Sequence, residues 1–155
     1  MILGIDPGLE NTGWGVIDED GVVEMGVIVT TRSQSSQERL GKIFKEIKTI
    51  IKKYQASEVA IESLYFAKNA KSALKVAEAI GAIKIAAEEL SVKVYEYTPL
   101  QIKIALVGYG RAEKEQVEVM VRDELSITGK IEPSHAADAL AVALTHKFTS
   151  SFVRA

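Results

Sequence analysis

Apolar and polar positions follow two rhythms along this chain, and each change of rhythm marks an element. Ile2-Leu3-Gly4-Ile5 is a short apolar run that ends on Asp6 and passes into Pro7-Gly8, the pattern of a buried strand entering a turn. Gly13-Trp14-Gly15-Val16-Ile17 reads as a second strand, and Asp18-Glu19-Asp20-Gly21 as a hairpin turn. Val22 to Thr30 reads as a third strand, interrupted at Gly26. Three strands joined by tight turns predict an antiparallel meander.

The period then lengthens. Leu40, Ile43, Phe44, Ile47, Ile51 and Tyr54 fall on one helical face, and Ser35 and Glu38 have capping-box spacing ahead of them. Val59-Ala60-Ile61 is a fourth buried strand, again ending on an acid, Glu62. Asn69 can cap a long helix running to about Leu90, and residues 92–97 form a fifth strand. Thr98, Pro99 and Gln101 combine an N-cap, a first-turn proline and a capping box, with Gly108-Tyr109-Gly110 closing that short helix. Further helices are predicted over 113–125 and 134–147. The order β-β-β-α-β-α-β followed by helices predicts an α/β fold: a mixed five-stranded sheet, antiparallel meander plus parallel strands, with helices on both faces.

With 155 residues, the length suits a single domain over 1–155. Apolar residues at 47% and charged residues at 26% describe an ordinary globular composition. Cysteine is absent, which removes disulfides, thiolate metal sites and a Cys nucleophile, and is compatible with a cytoplasmic setting. No apolar run reaches membrane-spanning length, and the first residues do not read as a signal peptide.

The net charge of −2 conceals an uneven distribution. Residues 1–30 hold six acids and no basic group, whereas 39–53 hold Arg39, Lys42, Lys45, Lys48, Lys52 and Lys53 against Glu46. Residues 66–87 hold Lys68, Lys71, Lys75 and Lys84 against Glu78. An acidic site beside basic flanks suits a metal and a phosphodiester, because the local field matters more than the net charge. For 39–53 a solvated helix face is the simpler reading.

The candidate chemistry lies in acids inside apolar surroundings. Asp6 and Glu62 each end a buried strand, where a carboxylate is costly unless paired or metal-bound. If those strands are adjacent and parallel, the two carboxylates lie side by side. His135 and Asp138, three apart at the start of the last helix, share a face that can meet them. Such a cluster suits Mg²⁺ or Mn²⁺, and two ions roughly 4 Å apart can activate water and stabilise a leaving oxygen. Taken singly, each acid also fits a turn or cap. His135 is open between ligand, proton shuttle and plain helix residue. His146 falls in the last turn of that helix, where it complements the dipole and has no assigned role. Tyr65 and Phe66 follow the second acid closely enough to stack on an unpaired base, and Lys68, Lys71 and Lys75 share a face suited to phosphates. Asn69 and Arg111 join them as candidate DNA contacts. Small residues at Ala70, Ala73, Ala77 and Gly81, with Ile85, predict close helix packing, through Ala73, Ala77 and Gly81 in a dimer interface or against the chain's own sheet.

Taken in order, these motifs resemble the RuvC family of bacterial Holliday junction resolvases. The resemblance rests on Ile2-Leu3-Gly4-Ile5-Asp6-Pro7-Gly8, Thr12-Gly13-Trp14-Gly15-Val16-Ile17, Ala60-Ile61-Glu62, Ala67-Lys68-Asn69-Ala70, Ser72-Ala73-Leu74-Lys75, Ala112-Glu113-Lys114 and Ala136-Ala137-Asp138-Ala139-Leu140-Ala141, nearly the whole chain. It implies a ribonuclease-H-like fold, a homodimer, Mg²⁺- or Mn²⁺-dependent paired nicking of four-way DNA junctions in recombination and repair, and partnership with the RuvA–RuvB branch-migration motor. It places the family's catalytic acids on Asp6 and Glu62, its closing pair on His135 and Asp138, its aromatic on Tyr65 and its functional lysines on Lys103 and Lys114. Many members carry Asp where this chain has His135. Competing readings are an ATPase of the actin or sugar-kinase type, which needs a longer chain, a junction-binding module without cleavage, and a related nuclease acting on RNA.

Overall fold

The computed structural model describes residues 1–63 and 70–154, the last four of these by backbone alone. Its elements in chain order are β1 (Ile2–Asp6), β2 (Asn11–Ile17), β3 (Val22–Val29), α1 (Ser36–Tyr54), β4 (Glu58–Glu62), α2 (Ala70–Glu88), β5 (Lys93–Tyr97), α3 (Pro99–Val107), α4 (Lys114–Glu124) and α5 (Ser134–Arg154). The strands form one sheet in the order β3-β2-β1-β4-β5. β1 pairs antiparallel with β2 and β2 with β3, while β1–β4 and β4–β5 are parallel. The mixed five-stranded α/β architecture read from the sequence is therefore present.

Alternation along the strands separates two apolar layers. Leu3, Ile5, Val59 and Ile61 point to one face, where Ile43, Ile47, Ile50 and Ile51 of α1 and Ala79, Ile80 and Ile83 of α2 cover them. Fully burying an Ile side chain is worth about 1.5–3 kcal/mol, so this face of α1 outweighs its capping box, worth about 1 kcal/mol. That box is formed as expected, with the Glu38 N–H bonded to Ser35 Oγ and the Ser35 N–H to the Glu38 carboxylate. On the opposite face, Ala60 and Ile17 pack with Ile102 and Leu106 of α3, Val121 of α4, and Leu140, Val142 and Leu144 of α5.

Two features differ from the sequence pattern. Gly26 does not interrupt β3: the strand runs through it, and a Cβ there would lie 2.9 Å from the Trp14 indole, so the missing side chain makes room for the ring. The last helix continues past 147 to Arg154. Its apolar periodicity weakens, but the Thr145 and Thr149 hydroxyls donate to the carbonyls four residues earlier at 2.8 and 2.7 Å, satisfying themselves within the helix. His146 consequently sits inside α5 rather than in its last turn. It is 1% exposed, its Nδ1 lies 2.7 Å from Tyr97 Oη, its ring stacks on Tyr95 at 4.3 Å, and its Nε2 is 3.2 Å from a Glu58 carboxylate oxygen. This buried polar contact is long-range, and no local sequence signal announces it.

Candidate active site

Strand register brings the first two acids together. β1 and β4 pair in parallel with Ile5 opposite Ile61, which sets Asp6 and Glu62 side by side at the carboxyl ends of their strands. Both point toward the α5 face, since each follows an isoleucine that points the other way.

α5 supplies the rest, and glycines let it come close enough. Gly4 and Gly13 present bare backbone to α5: a Cβ on Gly4 would lie 2.1 Å from the Ala139 carbonyl oxygen, and one on Gly13 2.0 Å from that of His135. Gly13 is also the register partner of Asp6. The first turn of α5 therefore rests on the strand position beside Asp6. From there His135 Nδ1 lies 2.8 Å from Asp6 Oδ2. With Nδ1 on that carboxylate, Nε2 is the ring nitrogen directed away from Asp6.

Ligand atoms of Asp6, His135 and Asp138 all lie within 4.8 Å of one another. Glu62 stands outside that spacing but feels both aspartates electrostatically. The fifth participant is Lys114, whose Nζ donates to Asp138 Oδ2 at 2.6 Å. Its position follows from local structure. The Glu113 N–H donates to the Gln116 side chain at 2.8 Å at the start of α4, and Tyr109 Oη donates to the same oxygen at 2.9 Å. Gly108, at φ +91°, ends α3 and reverses the chain toward that start.

The electrostatics show carboxylates held against their preference. Burial, then the charges of Asp6 and Asp138, push the Glu62 carboxyl from 4.5 up to about 7. Burial raises Asp6 as well, partly opposed by the His135 hydrogen bond. Burial pulls the Lys114 ammonium down, but its bond to Asp138 and the three carboxylate charges outweigh this and hold it above its ordinary value. Oxygen-rich, electron-rich and short of positive charge, the donor set fits a hard divalent cation with one imidazole in its shell.

A pH dependence follows. Folded Glu62 keeps a proton that the unfolded chain gives up near its ordinary value, so without metal its contribution lowers stability as pH rises from about 4.5 to about 7 and is constant above. The span is at most about 3 kcal/mol. Thermal melts in chelator at pH 5 and pH 8 are expected to lose part of their difference in Glu62→Gln. Divalent cation is expected to raise Tm more at pH 8 than at pH 5.

The chain matches the family model for crossover junction endodeoxyribonuclease RuvC over residues 2–146. It belongs to the RuvC family. Crossover junction endodeoxyribonuclease RuvC of Alkaliphilus oremlandii is 44% identical over 156 residues, covering 98% of this chain and 95% of the relative. The structure of Thermus thermophilus RuvC superposes with a TM-score of 0.91 at 37% identity, covering 98% of this chain and 96% of the other. RuvC of the same organism in complex with a Holliday junction substrate gives 0.94 at 38%, covering 98% and 95%.

The other candidate residues of the sequence are only partly among the described ones. Tyr65, Phe66, Lys68 and Asn69 lie outside the described residues. Lys71 and Lys75 are exposed on the first turns of α2. Lys103, half-buried on α3, and exposed Arg111 form no ion pair with the acids among the described residues. On α2, Ala77 and Gly81 are exposed and Ala73 half-buried. Leu74, at 65%, and Ile85, at 58%, are exposed on the same face. The packing face read from the sequence omits Leu74, though it lies three residues before Ala77 and seven before Gly81.

Proposed function

We propose that this chain resolves four-way DNA junctions, hydrolysing one phosphodiester in each of two strands in the presence of Mg²⁺ or Mn²⁺. The observation that carries this reading is the convergence of Asp6, His135 and Asp138 within 4.8 Å, beside Glu62, in a fold that superposes on a RuvC bound to a Holliday junction. Asp6, Asp138, His135 and Glu62 would hold the metal, with two ions per site as the preferred count. Held there, a divalent cation would supply Lewis acidity for activating water and offsetting negative charge at the reacting phosphate. His135 orients and hydrogen-bonds Asp6. Glu62, at about 7, is ionised at working pH only in part without a cation, so it couples metal loading to proton release. Lys114 holds Asp138 and carries positive charge to the edge of the scissile phosphate, where transition-state charge develops.

The DNA surface in this reading comprises Lys71 and Lys75 with Lys68, Asn69, Lys103, Arg111 and Lys114 on phosphates, and Tyr65 and Phe66 on an unpaired base. The whole chain acts as one nuclease domain in the cytoplasm, where chromosomal junctions arise in bacteria, and follows a RuvA–RuvB motor in recombination and DNA repair. Two symmetric nicks call for two sites related by a dyad. The exposed α2 stripe of Leu74, Ala77, Gly81 and Ile85, with Ala73 at its flank, supplies a self-complementary apolar face for a homodimer. Leu74→Glu combined with Gly81→Arg is expected to shift the protein to monomer in analytical ultracentrifugation. Cleavage would become single nicks without loss of melting temperature beyond that of dissociation.

The decisive experiment supplies a labelled four-way junction with Mg²⁺ or Mn²⁺. Two nicked duplexes with 5′-phosphate ends are expected. Tight binding without product in either metal would instead support a junction-binding module, and preference for an RNA–DNA hybrid a different nuclease.

A further inference from the structure

The loop that follows Asp6 is held by a buried arginine outside the acid cluster. Arg39, in the first turn of α1, is 9% exposed. Its Nε–H donates to Thr30 Oγ1 at 2.8 Å. Thr30 is 2% exposed, and its hydroxyl in turn donates to the Leu9 carbonyl oxygen. A hydroxyl has one proton. With the arginine N–H taking a lone pair of Oγ1, that proton is committed to Leu9, so the relay runs one way, from guanidinium to hydroxyl to loop carbonyl. The Thr30 N–H also donates to the Glu10 carbonyl oxygen at 2.9 Å. From the strand side, fully buried Thr12 donates its hydroxyl to the Gly8 carbonyl oxygen at 2.6 Å. The turn that begins immediately after Asp6 is thus tied at Gly8, Leu9 and Glu10.

The donor is an unexpected one for a merely structural brace. Among the described residues no carboxylate forms an ion pair with Arg39, and the Thr30 hydroxyl is the partner that its Nε–H meets. Its planar fork holds Nε in one direction, which a flexible ammonium would not do. We infer that Arg39 is a positioning residue for Asp6, which acts through the Thr30 hydroxyl to hold the turn after the carboxylate in the geometry the metal needs. The inference rests on the proposed metal-dependent reading of the cluster.

The test uses the full chain as wild type, Arg39→Lys, Thr30→Val, Thr30→Ser and the Arg39→Lys/Thr30→Val double variant. Three quantities are read below the melting temperature of each: Mn²⁺ affinity by calorimetry without DNA, junction affinity without metal, and single-turnover cleavage at saturating Mn²⁺. Arg39→Lys and Thr30→Val are expected to weaken Mn²⁺ binding roughly 10-fold or more, as loss of outer support for a ligand does, and to slow cleavage without changing junction affinity. Thr30→Ser, which keeps the hydroxyl, is expected to match wild type, and the double variant to be no worse than the worse single one. Unchanged Mn²⁺ affinity in folded Thr30→Val, or multiplied losses in the double variant, overturns the relay. Weakened junction binding with Mn²⁺ affinity intact makes Arg39 a DNA contact and also overturns it. Should Thr30→Val not fold, Arg39→Lys decides on the same readouts. If wild type binds Mn²⁺ and the variants weaken it, yet wild type leaves the junction intact, the nuclease reading fails while the positioning role stands.

Discussion

Asp6→Asn is expected to abolish junction cleavage while leaving the metal-free protein at least as stable as wild type. The carboxylate touches His135 at 2.8 Å and shares the 4.8 Å cluster with Asp138, so the change removes a negative ligand from its centre. Loss of an outer-shell partner alone typically costs 10–100-fold, and the loss here is expected to exceed roughly 100-fold in single-turnover rate. Stability should move the other way. Burial and the Asp138 charge already hold Asp6 above its ordinary pKa, and a neutral amide of the same shape escapes both costs while still accepting the His135 proton. Rate, junction affinity and chelator-treated Tm measured together check this. A large fall in Tm would mean that Asp6 serves the fold, and wild-type cleavage would sink the metal assignment.

Gly13→Ala is expected to damage stability and activity together. The added Cβ would stand 2.0 Å from the His135 carbonyl oxygen, a backbone atom that yields only if α5 moves by roughly 1 Å. Overpacking of this kind costs about 1–3 kcal/mol and more where the backbone must shift. Displacing His135 and Asp138 by that distance from Asp6 is expected to lower cleavage by about 100-fold even in the fraction that folds. Gly41→Ala is the control. Nothing lies within 4 Å of its Cβ position on α1, and replacing a helical glycine there should be neutral or stabilise by up to about 1 kcal/mol. Denaturant melts and cleavage rates of the two variants separate close approach from generic loss of glycine. Full activity in Gly13→Ala would show that α5 is not seated on β2 as described.

The capping boxes at Ser35–Glu38 and Thr98–Gln101 were readable because each is closed within four residues. Strand boundaries were readable for a similar reason, since the apolar run and its turn residues are neighbours. Gly26 was misread as an interruption because its partner, Trp14, is twelve residues away on β2. His146 reads in the sequence as a last-turn residue without a role for the same reason: Tyr97, Tyr95 and Glu58 all reach it from other elements. In the sequence Arg39 is one of a row of cations, and its burial and its hydrogen bond to Thr30 separate it from exposed Lys42 and Lys45.

By itself the sequence determined the elements, their order, the strand-end acids and, through ordered motifs, the family. These are properties of local pattern and residue type, which survive without coordinates. The tertiary structure alone decided that Asp6 and Glu62 are neighbours, because strand register is a pairing between distant segments. It also decided how α5 reaches them, because two bare glycine backbones admit the helix and bring His135 onto Asp6. The pKa of Glu62 is likewise a collective property, arising from burial and from charges contributed by β1 and α5 together. Residue identities name the groups available for chemistry, whereas the spacing that makes them a cluster is a sum of packing contacts across the whole fold.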